Sequence, residues 1–93
     1  ERIQSSSIVN LEIKTQARDC RNIISNIPGI KKITLEKETE GWQFIRIRVD
    51  YGNDVREKIM DLAHHNKWTI REIHHQRTNL EDTFIELIQN KNN

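Results

Sequence analysis

The 93-residue chain has one cysteine, one proline, three glycines and no apolar run longer than two residues, and each scarcity removes a class of protein. Cys20 alone forms no internal disulfide and lacks the second thiol of a thiolate metal site, which fits a reducing compartment. The short apolar runs exclude a transmembrane helix and the core of a signal peptide. Glycines at positions 29, 41 and 52 make no glycine-rich cradle, and no G-x-x-x-x-G-K-[ST] phosphate loop is present. The serines fall in a run at positions 5–7 and at Ser25, none in a nucleophile-elbow context. A net charge of +1 gives no strong overall field with which to steer nucleic acid or anionic membrane.

What remains is 34% apolar and 31% charged, the composition of one small domain with a well-solvated surface. The chain opens on Glu1 and its one methionine is Met60, so it reads as an excised piece of a longer protein. Residues 1–7 have no period and end in serines, as a linker does. Val9, Leu11 and Ile13 then alternate with Asn10, Glu12 and Lys14, which predicts a half-buried strand. Ala17, Cys20, Ile24 and Ile27, with Ile23 beside them, predict a helix that Thr15 caps and Pro28-Gly29 ends.

A second strand over 31–37 turns Ile33 and Leu35 inward, and a polar turn at 38–41 joins it to a third over 42–50 with Ile45, Ile47 and Val49 inward. Asn53 is placed to cap a second helix bearing Val55, Ile59, Leu62 and Ala63. In a fourth strand over 68–75, Trp68 and Ile70 share a face that Ile73 does not, which predicts a bulge or an early end to pairing. Leu80, Phe84, Leu87 and Ile88 then form one helical stripe over 79–90. Thr78 with Glu81 matches a capping box there.

Strand, helix, strand, strand, helix, strand, helix predicts an α+β, ferredoxin-like split β-α-β sandwich. Its four-stranded antiparallel sheet carries two helices on one face, with a C-terminal helix added. Residues 8–90 form this domain and 91–93 a tail.

The run over 68–89, with W-T-I-R-E-I, a polar turn and N-L-E-D-T-F-I-E-L, resembles the end of a small accessory domain in many ABC transporter ATPase subunits. That domain follows the nucleotide-binding domain and closes on an (S)-L-E-D-x-F-x-x-L pattern, matched here by Leu80, Glu81, Asp82, Phe84 and Leu87. N-I-P-G-I at 26–30 is similar to the family's leucine-proline-glycine-valine turn, and the order of elements agrees over about residues 8–90. Thr83 stands where the family has Val or Ile, and Asn79 where it has Ser. The resemblance implies a non-catalytic regulatory or association domain at the cytoplasmic side of a membrane. ATP and Mg would belong to an upstream domain missing from this chain. Its implied partners are that ATPase domain, a membrane permease subunit and a symmetry mate. Transported substrate and direction are not implied.

Two further constellations need weighing. His64-His65 and His74-His75 invite a zinc reading, but the fourth strand, at about 3.3 Å per residue, holds the pairs some 20–30 Å apart, and neighbouring side chains diverge. They read as solvated histidines. Trp42, Phe44, Arg46 and Arg48 have the parity opposite to Ile45, Ile47 and Val49 and so project onto the open face of the sheet.

Aromatic rings beside arginines on such a face are what single-stranded RNA binders use. No RNA-recognition signature is present, however, and the first strand sets Glu12 there, a carboxylate that repels phosphate. The bland reading is a charge ladder, with Arg46 and Arg48 among Glu12 and Glu36, and with Trp42 and Phe44 meeting the stripe of Leu80, Phe84, Leu87 and Ile88 from this chain or another copy. Trp68 is a further candidate neighbour for Phe84. These eight residues of the third strand and the terminal stripe are the candidate interaction set, with no catalytic, cofactor or metal residue. The rival is a stand-alone ferredoxin-like module that senses a ligand or binds single-stranded RNA. Acylphosphatase-like hydrolysis would need an anion cradle that the sequence does not offer.

Overall fold

The computed structural model describes residues 6–16, 20–50 and 53–76. The expected terminal helix, with Leu80, Phe84, Leu87 and Ile88, and Ala17 of the first helix lie outside them. The elements are β1 (Ser6–Lys14), α1 (Cys20–Ile24), β2 (Ile30–Thr39), β3 (Trp42–Asp50), α2 (Arg56–Asn66) and β4 (Thr69–Gln76). Strands pair antiparallel throughout in the order β2-β3-β1-β4, so β1 and β3 are central and the two helices cover one face. This is the ferredoxin-like split β-α-β arrangement that the order of elements predicts.

The alternation of β1 sets the layers. Val9, Leu11 and Ile13 are at most 1% exposed, while Ile8, Asn10, Glu12 and Lys14 face the other way. The strand begins at Ser6, inside the stretch whose composition reads as linker. Ser7 falls on the inward parity, opposite Val49, and is buried, so strand pairing overrides the coil preference of the serine run.

Cys20, Ile24 and Ile27 bring α1 and the turn after it into the core. Beyond Ile24 the backbone tightens, with Asn26 N–H donating to the Ile23 carbonyl and Ile27 N–H to the Ile24 carbonyl, before Pro28 stops it. Gly29 takes φ +97°, and a Cβ there would lie 2.5 Å from Asn53 Nδ2. Its carbonyl accepts the Asp50 N–H at 2.9 Å, which ties the Pro-Gly turn to the end of β3. The β2–β3 turn is two residues, Glu40 and Gly41, both at positive φ, between the paired Thr39 and Trp42. That is the backbone of a type I′ turn, whose twist matches that of the strands.

The start of α2 differs from expectation. Its first N–H, that of Arg56, donates to Asp54 Oδ1 at 3.1 Å, so Asp54 rather than Asn53 supplies the side-chain acceptor. The Arg56 guanidinium also returns to grip the same carboxylate, Nε to Oδ1 at 2.9 Å and Nη2 to Oδ2 at 2.6 Å. These hydrogen bonds from Arg56 hold the Asp54 carboxyl far below the usual carboxylate range. At the other end Lys67 adopts φ 60°, and Trp68 N–H donates to the Ala63 carbonyl at 2.8 Å.

In β4 the break in alternation is a bulge. Glu12 pairs with Glu72 and Ile13 with Ile70, leaving Arg71 as the extra residue. Ile70 and Ile73 thereby both turn inward, and Trp68 is buried in the same core. Of the apolar positions read as core, Ile33, Leu35 and Leu62 are only partly buried. The two on β2 sit on an edge strand that a neighbour covers on one side only.

Ile47 is fully buried on central strand β3, so Ile47→Ala is expected to cost about 2–5 kcal/mol in urea melts. A carboxyl held low in the folded state stabilises fully above its unfolded pKa of about 3.9 and progressively less as pH falls below it. Asp54→Asn is therefore expected to lower the melting temperature at neutral pH, with the gap from the parent closing below about pH 4 in a melting series.

Candidate functional site

The face of the sheet away from α1 and α2 is organised by β3, whose outward residues pair on both sides. Trp42 lies between Lys14 and Thr39, Phe44 between Glu12 and Lys37, Arg46 between Asn10 and Thr34, and Arg48 between Ile8 and Lys32. The four β3 residues expected on this face are all there, with both rings half-buried and both arginines exposed. Trp68, by contrast, is part of the buried core, so it is no neighbour for anything lying on the open face.

The face has two unlike halves. Around the rings the contacts are dense. Arg71 donates from Nε to Glu12 Oε1 at 2.9 Å and lays its guanidinium 4.1 Å from the Trp42 ring centre and 6.0 Å from that of Phe44. Lys14 Nζ stands 5.5 Å from the Trp42 centre and Lys37 Nζ 4.8 Å from that of Phe44. A planar guanidinium on an indole, fixed by a carboxylate, holds both rings at the surface at little cost in solvation.

The other half is cationic. Arg46 and Arg48 were expected to form a ladder with Glu12 and Glu36, and the pairing replaces it. Glu12 is taken by Arg71, and Glu36 stands at a register shift where β2 bulges, so it opposes neither arginine. Among the described residues neither arginine has a carboxylate partner. Lys32 lies beside Arg48, and His74 stands across β1 from Arg46. Arg71, Lys14, Lys32 and Lys37 thus join the set. Of these, Lys14 and Lys32 follow from the parity of β1 and β2 and the parity break around Arg71 is legible in the sequence, while Lys37 reaches this face only through the bulge at Glu36.

The histidine pairs stay apart. His64 and His65 are exposed in the last turn of α2, and β4 runs between them and His74-His75. His75 turns inward opposite Val9, with Nε2 buried and without a hydrogen-bond partner among the described residues. Cys20 is buried, 3.9 Å from Gln43 Oε1. Among the described residues no three His, Cys, Asp or Glu side chains converge as metal ligands, and no helix is long and apolar enough to cross a membrane.

An exposed pair such as Glu12–Arg71 is worth roughly 0.2–1 kcal/mol. A double-mutant cycle of Glu12→Gln and Arg71→Ala is expected to return a coupling in that range, with Arg71→Ala alone also shifting the Trp42 indole resonance. Comparison with protein-family models, with curated proteins and with solved structures finds no match to this chain.

Proposed function

We propose that this chain is a non-catalytic regulatory and association domain from the C-terminal end of an ABC transporter ATP-binding subunit, and that it works through the open face of its sheet. The observation that carries the association role is that face, where two half-buried aromatic rings and a row of exposed cations lie on paired strands. Side chains on paired central strands are held in fixed register, and aromatic and arginine side chains are those most enriched where proteins dock.

The assignment to an ATPase subunit is supported by the resemblance of the N-I-P-G-I turn and the L-E-D-T-F-I-E-L run. Gly29 at positive φ, tied to Asp50, suits a turn of that type. On this reading ATP and Mg belong to an upstream domain, and a separate permease carries the substrate. The domain sits at the cytoplasmic side, touching the ATPase core, the permease or its symmetry mate. The rival RNA-binding reading draws on the same rings and on arginines without carboxylate partners, and differs in its ligand.

Two measurements test the proposal. The coding sequence upstream of Glu1 is expected to carry a P-loop and the other ABC motifs within 200–300 residues, and their absence sinks the assignment. The 93-residue chain itself is expected to show no heat of ATP binding at micromolar concentration, and a calorimetric signal there would overturn the division of labour.

A further inference from the structure

We infer that the open face docks an acidic segment of a partner protein, whose carboxylates meet Arg46 and Arg48 and the cations that cap the two rings. The inference rests on the reading of that face as a contact surface and names the chemistry of what it contacts.

Strand register sorts the face into rows that run across the four strands. Nearest the end of β4 one row reads Lys32, Arg48, Ile8 and Gln76, and the next reads Thr34, Arg46, Asn10 and His74. Every polar side chain in these two rows can donate a hydrogen bond, and none is a carboxylate. Further along, Lys37 stands by Phe44, and Lys14 and Arg71 by Trp42. Each of the four rows therefore offers a cation, at a repeat of about 7 Å along β3. Against these six cations stand Glu12, which Arg71 already holds, and Glu72. The whole chain is only +1, so carboxylates outnumber lysines and arginines everywhere but here.

The rings decide between kinds of anionic partner. A nucleic-acid base stacks on an open ring face, but the Arg71 guanidinium lies 4.1 Å from the Trp42 centre and Lys37 Nζ 4.8 Å from that of Phe44. A stacked base must displace a cation from each ring. Entry into a bilayer needs an aromatic side chain that stands clear of the surface, and both rings are half-buried. A carboxylate needs neither change. It pairs with Lys14 or Lys37 from above while each cation keeps its ring, and at Arg46 and Arg48 it finds guanidinium donors that no carboxylate among the described residues takes. An extended segment with acidic side chains on alternate residues repeats at the same spacing of about 7 Å as the rows.

The test is an NMR titration of the isotope-labelled 93-residue chain with a synthetic peptide of alternating glutamate and serine. Expected are shifts of the Arg46 and Arg48 side-chain N–H and Trp42 indole N–H resonances, with an affinity that falls as salt rises. Arg46→Glu with Arg48→Glu is expected to weaken binding at least about tenfold while the chain still unfolds cooperatively in urea, and Arg46→Gln with Arg48→Gln to weaken it less. Arg21→Glu with Lys58→Glu, on the helical side, is expected to leave binding within about twofold of the parent.

Shifts spread over both sides of the domain, or no shifts, would overturn the inference. Tighter binding of an oligothymidine that displaces Arg71 from Trp42 would overturn it in favour of nucleic acid. Adsorption to phosphatidylserine vesicles that the peptide does not compete away would do so in favour of a membrane surface. Shifts at the same residues on concentrating the chain alone, with faster sedimentation, would assign the face to a second copy instead. None of these outcomes bears on the upstream ABC motifs, so the two claims fail separately.

Discussion

The parity of β1 is the constraint on which the rest of the structure depends. Paired with β3 on one side and β4 on the other, it drives Val9, Leu11 and Ile13 into the helix-covered layer and leaves Asn10, Glu12 and Lys14 on the open one. A slip of one residue in either pairing would exchange those sets and bury a carboxylate and an ammonium, each costing several kcal/mol. Register is therefore strongly specified, and everything on the open face inherits its position from it. The irregularities sit on the edge strands, where β2 and β4 carry the bulges and the central pair is continuous. Bulged edges also discourage unwanted strand addition.

Much of this was legible in the residues because the physics that reveals it is local. Alternation in β1 and β3, the Pro28-Gly29 stop and the broken parity of W-T-I-R-E-I each follow from backbone geometry over a few positions. The departures come from longer-range terms. Ser7 is strand because Val49 stands opposite, not because serine favours it. Asp54 displaces Asn53 at the start of α2 because Arg56 can grip a carboxylate with two nitrogens, a charge-assisted geometry an amide does not offer. The ladder assigned to Glu12 and Glu36 needed two registers at once: the continuous β1–β3 register sets Glu12 opposite Phe44, where Arg71 takes it, and the bulge in β2 moves Glu36 out of line. The four β3 residues of the candidate set follow from parity alone, whereas Arg71 reaches the rings across a neighbouring strand.

The two halves of the open face give the proposed association role its physical content. Trp42 and Phe44 offer apolar area held in place by Arg71, Lys14 and Lys37, and Arg46 and Arg48 offer charge with no carboxylate of the described residues to answer it. Such a face favours an occupant that is both acidic and apolar over one that is only one of these. Glu12, already committed to Arg71, presents less repulsion to an anion than its sequence position suggests.

Arg71 joins the fold to the face: it is the residue β4 does not need for pairing and the one that fixes Trp42. Removing it entirely is the most direct test. With Arg71 deleted, Ile70, Glu72 and Ile73 still oppose Ile13, Glu12 and Leu11 in regular alternation. The account predicts a folded chain that keeps the Ile13–Ile70 and Leu11–Ile73 contacts in NMR spectra and loses the shielding of Trp42 by the guanidinium. Loss of those core contacts, or a chain that no longer unfolds cooperatively in urea, would contradict it, because Arg71 would then be part of the fold rather than of the surface the fold presents.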